Sequence, residues 1–200
     1  MIIGVTGGVG SGKSTVLDIL ECDYSAFIIE ADKVAKDLMN PAKSAFESII
    51  NEFGEDITAV ENGQLVIDRI KLSKLVFQNP DKLSLLNSIV HPLVRVEILS
   101  MFDNIYSKDS NALIVLESAI LIEAGYKDLL DSLWFVYADK EIRINRLMQS
   151  RGYSRLRCTD LMKVQLSDDE YKSNCDFVID NSNDLSYVKE QIDSWFKKNR

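Results

Sequence analysis

Short apolar runs recur along the chain at Ile2–Val5, Phe27–Ile29, Leu113–Leu116, Leu133–Tyr137 and Phe177–Ile179. Each is followed by polar or glycine-containing sequence and then by a stretch with helical spacing. Runs that are apolar throughout, rather than alternating, predict strands covered on both faces. Strands of that kind separated by helices build a parallel sheet through right-handed crossovers, and such a sheet takes its ligands at the carboxyl ends of the strands. Residues just after the strands therefore carry the most functional weight.

Between residues 41 and 106 the pattern changes to helical spacing, as in Val94, Ile98, Met101 and Ile105. This stretch reads as a helical insert within a single domain spanning 1–200. Inside it, Asn62-Gly63 marks a tight turn and Asn79-Pro80-Asp81 a helix break and restart. A second polar stretch is rich in Arg and Asp, has helical character up to Met148 and loop character after it, and is expected to form a lid over 146–170.

Composition narrows the function classes. A net charge of -8 argues against broad nucleic-acid binding, which needs a basic footprint to displace phosphate counterions. Any anionic ligand must meet locally clustered Lys and Arg. Cys22, Cys158 and Cys175 are odd in number and form no CxxC pair, so reduced thiols are expected instead of a disulfide framework or a zinc site. The N-terminus lacks a basic region and turns glycine-rich after five residues, and nowhere do eighteen apolar residues run together. A cytoplasmic protein with no membrane or nucleic-acid partner is expected, with oligomeric state left open.

The chemistry concentrates at residues 7–14, Gly-Gly-Val-Gly-Ser-Gly-Lys-Ser, directly after the first strand and before a helix-compatible run. Strand, Gly-x4-Gly-Lys-Ser and helix in that order form a phosphate-binding P-loop. Gly8, Gly10, Ser11 and Gly12 bring backbone N–H groups to the phosphates, and the helix start adds its partial positive charge. Lys13 reaches the β and γ phosphates, Ser14 supplies a hydroxyl to Mg²⁺, and Thr15 borders the α-phosphate. The predicted fold is thus α/β: a P-loop NTPase-type parallel five-stranded sheet flanked by helices, with a helical insert and a lid, using ATP and Mg²⁺.

Other candidates carry two readings each. Asp32 follows the second strand and starts a helix, where a carboxylate serves either as general base for an acceptor hydroxyl or as helix N-cap. Arg146, Arg151, Arg155 and Arg157 either neutralise a transferring phosphoryl group or form a solvated face, with Glu141 placed to pair with Arg143 or Arg146. His91, the single histidine, sits near the cap of a helix opened by Pro92, as a substrate contact or a structural hydrogen-bonding group. Glu117 and Glu123 flank the end of the Leu113–Leu116 strand, and Glu117 is the preferred acid for the metal. Lys172 and Asn181 are candidates for contacts to adenine.

The segments Val5 to Thr15, Glu30-Ala31-Asp32, the Asn-x3-His-Pro-Leu core of Leu86–Val94, and Phe177 to Asn181 together resemble the dephospho-CoA kinase family over nearly the whole length. The resemblance implies MgATP-dependent phosphorylation of the ribose 3′-hydroxyl of dephospho-CoA, with the insert as the substrate-binding region. It implies Asp32, Lys13 and Arg146 as catalytic residues and Gly10 to Thr15 as the ATP loop. Thr6, Asp32, His91 and Glu117 fall on the substrate side.

Two departures stand out. Where the family commonly reads Asp-x-Pro-Leu-Leu-x-Glu, this chain has Glu117-Ser118-Ala119-Ile120-Leu121-Ile122-Glu123, and a family-like Arg-Asp-Gly is replaced by Ser150-Arg151-Gly152. Other readings on the same scaffold are a nucleoside monophosphate kinase or a P-loop protein that binds ATP without transfer. No Asn-Lys-x-Asp guanine-reading string occurs.

Overall fold

The computed structural model describes residues 1–77 and 79–199. In chain order the strands are Ile2–Thr6 (β1), Phe27–Glu30 (β2), Thr58–Glu61 (β3), Gln64–Ile67 (β4), Ile114–Glu117 (β5), Ser132–Tyr137 (β6) and Phe177–Asp180 (β7). The helices are Lys13–Tyr24 (α1), Ala31–Leu38 (α2), Phe46–Phe53 (α3), Arg69–Phe77 (α4), Pro80–Lys108 (α5), Lys140–Arg151 (α6), Arg155–Lys163 (α7), Asp168–Asn174 (α8) and Leu185–Asn199 (α9).

All five predicted runs become strands of one parallel sheet in the order β2-β5-β1-β6-β7. β1 is central, with Val5 in register with Glu117 of β5 and with Trp134 of β6. The chain winds to one side of β1 through β2 and β5 and then to the other through β6 and β7. The loop after β1 therefore lies where the winding direction reverses, the place such sheets keep for ligands.

Apolar residues on both sides of each strand explain why the sheet needs two covers. On one face Ile3, Val5, Val115, Trp134, Val136 and Ile179 pack with Val16 and Leu20 of α1 and with Val188, Ile192 and Phe196 of α9. The indole N–H of Trp134 donates to Ser132 Oγ at 3.1 Å, so its burial leaves no orphaned donor. On the other face Phe135 stacks on Tyr171 of α8 at 4.7 Å, and the Tyr171 hydroxyl donates to the Ala119 carbonyl at 3.3 Å. Ala119 holds the place of the expected proline, and its carbonyl anchors the segment while Leu121 is fully buried.

Two compact units emerge: Met1–Ile29 with Asp109–Arg200, and Glu30–Lys108. The second holds α2 to α5 and a hairpin of β3 and β4 turned by Asn62 and Gly63, both at positive φ (50° and 77°), as the Asn-Gly dipeptide predicts. Asn79 caps α5 through its Oδ1, which accepts from the N–H groups of Asp81 and Lys82, and Pro80 occupies the first helical position.

Pro92 does not open a helix. It lies inside the continuous 29-residue α5, and His91 is a mid-helix residue instead of a cap neighbour. The buried stripe Leu86, Val90, Val94, Ile98 and Phe102 runs through the proline at i, i+4 spacing, and α5 packs on α2, α3 and α4. Tertiary burial of that stripe outweighs the one backbone hydrogen bond a proline removes. By length and composition α5 is also long and apolar enough to cross a bilayer. Here its apolar stripe faces other helices of the unit.

The arginine-rich stretch also differs from expectation. Gly152, at φ 64°, ends α6 in the left-handed conformation, and Ser154 then caps a further helix, α7, by accepting from the Arg157 N–H. What the sequence suggested as loop after Met148 is mainly helical, because a C-cap glycine followed by an N-cap serine restarts the helix.

Candidate active site

β1 ends at Thr6 and α1 begins at Lys13, with the glycine-rich loop 7–12 between them. Gly12 is the N-cap residue of α1 at φ 89°, a left-handed position that strains any residue with a Cβ. A Cβ on Gly12 would also overlap Asn181 Nδ2. Within the loop the Ser11 N–H donates to the Gly8 carbonyl at 3.2 Å, and the Thr15 N–H donates to the Gly12 carbonyl at 3.0 Å, opening the helix. Ser14 follows Lys13 in the first turn and is exposed, with its hydroxyl near the positive end of the α1 dipole.

Lys13 turns back over this loop. Its Nζ donates to the Gly7 carbonyl at 2.9 Å and stands 3.5 Å from Glu117 Oε1, at the end of β5. Thr6 and Ser11 are buried, and among the described residues neither hydroxyl has a hydrogen-bond partner. Buried hydroxyls without partners are uncommon and mark places where a ligand or water completes the set.

Behind the loop stand side chains that the sequence did not bring together. Arg146 donates through its two terminal nitrogens to the carbonyls of Ser11, at 3.2 Å, and Asn181, at 2.9 Å. Asn181 is buried, and its Nδ2 donates to the Ser11 carbonyl at 2.8 Å. Arg143 donates through Nε to the Val9 carbonyl at 3.0 Å, and Gln165 Oε1 accepts the Val9 N–H at 2.9 Å. Burial lowers the pKa of Arg143, with Asp168, 3.5 Å away, pulling the other way. Lys13, Arg143, Arg146 and the α1 N-terminus thus gather positive potential at one loop of a protein with net charge -8.

Glu141 pairs with Arg155 at 2.6 Å, not with Arg143 or Arg146, because α7 folds back beside α6. Arg157 lies over the Tyr153 ring at 4.2 Å, and Arg151 and Glu123 are exposed. Lys172 lies over the Tyr137 ring at 5.0 Å. The Tyr137 hydroxyl donates to Asp139 at 2.6 Å, which pushes its pKa up to about 12. The sequence assigns Asn181 only a contact to adenine and gives Arg143 and Gln165 no role at the loop, because their use depends on three segments that are distant in sequence.

Asp32 and His91 belong to the second unit. Asp32 is exposed in the first turn of α2, while the N-cap position belongs to Glu30, so Asp32 is not the cap. Among the described residues its carboxylate has no hydrogen-bond or ion-pair partner, which leaves both oxygens able to accept. His91 is half-buried.

A metal would find oxygen donors here and nothing softer. Ser14 and Glu117 are hard ligands, and among the described residues no group of three or more His, Cys, Asp and Glu is arranged to hold a metal by itself. That donor set suits Mg²⁺, which takes one or two protein oxygens and completes its shell with water and phosphate.

A parallel sheet with a glycine-rich cradle at its switch point, a lysine over the loop and a helix N-terminus behind it defines a P-loop phosphotransferase of the small kinase type. The family model for dephospho-CoA kinase matches residues 1–186. A dephospho-CoA kinase from Carboxydothermus hydrogenoformans is 41% identical over 191 residues, covering 96% of this chain and 90% of that one. Among solved structures, a Thermus thermophilus protein superimposes with a TM-score of 0.80 at 28% identity, covering 99% of this chain and 97% of its own. A dephospho-CoA kinase from Campylobacter jejuni gives 0.70 at 26% identity, covering 100% and 98%. The chain belongs to the dephospho-CoA kinase family.

Proposed function

We propose that this protein transfers the γ-phosphoryl group of ATP to the ribose 3′-hydroxyl of dephospho-CoA, giving CoA and ADP in the cytoplasm. The observation that carries the reading is an intact phosphate cradle, Gly7 to Ser14, in a chain matched by the family model over residues 1–186. Phosphoryl transfer asks of a protein mainly in-line positioning and neutralisation of charge. Lys13 leaves Glu117 and the Gly7 carbonyl for the β and γ phosphates. The N–H groups of Val9, Ser11 and Thr15 are bonded within the protein, and those of Gly10, Gly12, Lys13 and Ser14 hold the remaining oxygens. Ser14 and Glu117 would hold Mg²⁺, which would supply neutralisation of phosphate charge. Arg146 keeps the loop in shape from behind, with its charge close to the phosphates. Asp32, whose carboxylate has no partner among the described residues, accepts the proton of the acceptor hydroxyl. Thr6, His91 and Glu117 take part in holding dephospho-CoA, residues 41–106 form the substrate-binding insert, and residues 146–170 act as lid.

The test is incubation of purified protein with Mg²⁺, ATP and dephospho-CoA, followed by mass spectrometry. One added phosphate on the acceptor, lost when Mg²⁺ is chelated, is the expected result. ATP bound without any phosphorylated acceptor would overturn the reading.

A further inference from the structure

We infer that Arg143 and Gln165 are positioning residues for the phosphate loop, holding the Val9 peptide from both sides so that the cradle is shaped before nucleotide arrives. Both polar groups of that peptide position leave the loop for side chains of other elements. The Val9 N–H donates to Gln165 Oε1 at 2.9 Å, and the Val9 carbonyl accepts from Arg143 Nε at 3.0 Å. The guanidinium also joins the two holders, with Nη2 at 3.5 Å from Gln165 Oε1 and Nη1 at 3.5 Å from Asp168 in the first turn of α8. One buried cation therefore touches the loop, the residue after α7 that grips the loop, and the start of the next helix.

The glycines on either side of Val9 fit the same contact. A Cβ on Gly8 would overlap the Arg143 guanidinium, and one on Gly10 would come 2.9 Å from the Arg143 carbonyl. The loop is thus seated on α6 at Arg143 as closely as backbone allows. Arg143 is 8% exposed, and burying a charge that deeply is unfavourable unless its partners are worth the desolvation. Here the partners fix the curvature of a loop whose N–H groups must converge on phosphates. Preorganisation of this kind lowers the conformational cost of binding and leaves the chemical step alone.

The inference rests on the nucleotide-binding half of the proposed function, and its test is chosen to survive failure of the acceptor half. Arg143→Met, Gln165→Leu, the double variant and Arg143→Lys are compared for ADP affinity by calorimetry, for KM and kcat, and for thermal unfolding. Each of the first two is expected to weaken ADP binding and raise the KM for ATP by about tenfold, with kcat and the KM for dephospho-CoA within about twofold of wild type. Because both act through one residue of the loop, the double variant should be within about twofold of the weaker single. Arg143→Lys keeps the charge but cannot reach Val9, Gln165 and Asp168 as a planar fork, so it too should bind ADP poorly. Wild-type affinity in Arg143→Lys would overturn the inference in favour of charge alone. Unchanged ADP affinity with a lowered melting temperature, in Arg143→Met or in the milder Gln165→Leu, would reduce the pair to a structural brace. A fall in kcat at unchanged affinity would place Arg143 on the transferring group instead. ADP calorimetry needs no acceptor, so it remains informative if no phosphorylated product is ever found.

Discussion

The Lys13 ammonium stands 3.5 Å from the Glu117 carboxylate, with the two side chains only 17% and 12% exposed. They come from segments tied to neighbouring strands: Glu117 closes β5, and Lys13 opens the helix that follows β1. In that position each offsets the other's largely buried charge, and breaking such a pair by removing one partner is worse than removing both. The pair holds the lysine next to the cradle, where its Nζ also reaches the Gly7 carbonyl.

Lys13→Ala should therefore show two separable losses. Turnover should fall at least about 10²-fold, the usual effect of removing one preorganised charge stabiliser. Thermal stability should fall as well, because Glu117 loses this cation. Adding Glu117→Gln to Lys13→Ala should recover much of that stability and none of the activity. Equal stability losses that simply add across the cycle would show that the pair does not interact in solution.

Asp32→Asn tests the base. The residue is exposed in the first turn of α2 and is not its cap, so the amide should leave folding and the KM for ATP close to wild type. Turnover with dephospho-CoA should fall by about 10²- to 10⁴-fold, the range for loss of a general base. A smaller loss, with the fold intact by circular dichroism, would mean the hydroxyl proton goes elsewhere.

The parts of this fold that were legible in sequence are those whose signal is local. Ile2–Val5 followed by Gly7 to Ser14 announces strand, loop and helix in that order, and Asn62-Gly63 announces its own turn. Pro92 shows where local signals mislead. Proline is favoured at the first helical position, so His91-Pro92 reads as a helix start, yet the stripe from Leu86 to Phe102 continues through it and the burial of five residues decides. The arginines divide in the same way. Arg155 and Arg157 keep the surface roles their exposure suggests, whereas Arg143 meets Val9 and Gln165 only because α6 packs under the loop. Contacts among residues 9, 143 and 165 are set by topology, and no spacing rule along the chain encodes them.

Gly12→Ala should be far more damaging than Gly152→Ala, although both glycines have positive φ, 89° and 64°. At Gly152 none of the described residues lies within 4 Å of where an alanine methyl would sit, so only the left-handed backbone is penalised, at about 1–2 kcal/mol. At Gly12 the same methyl group also displaces Asn181, whose amide and carbonyl link Ser11 to Arg146. Chemical denaturation of the two variants should separate them, and only Gly12→Ala should lose nucleotide binding. Similar losses of stability with ADP affinity retained in both would mean that Asn181 yields without disturbing the loop.

The thiols offer a test of packing that needs no substrate. Cys22 is exposed on α1, Cys158 is fully buried between α6 and α7 with Ile144 and Leu147, and Cys175 is partly buried beside Asp176. Burial, reinforced by the Asp176 charge, pushes the Cys175 thiol up to about 12. A raised thiol pKa means the neutral form persists as pH rises, so at pH 8 only about one Cys175 in 10⁴ is a thiolate, the species that attacks an alkylating reagent. Iodoacetamide at pH 8 should accordingly add a single carbamidomethyl group within minutes, at Cys22, and peptide mapping should find Cys158 and Cys175 unmodified until denaturant is added. Raising the pH toward 10 should increase the Cys175 rate about tenfold per unit while the fold persists, since the thiolate fraction grows by that factor well below the pKa. Prompt modification of Cys175 at pH 8 in the native protein would show that the junction between α8 and β7 opens in solution and that its burial is not maintained.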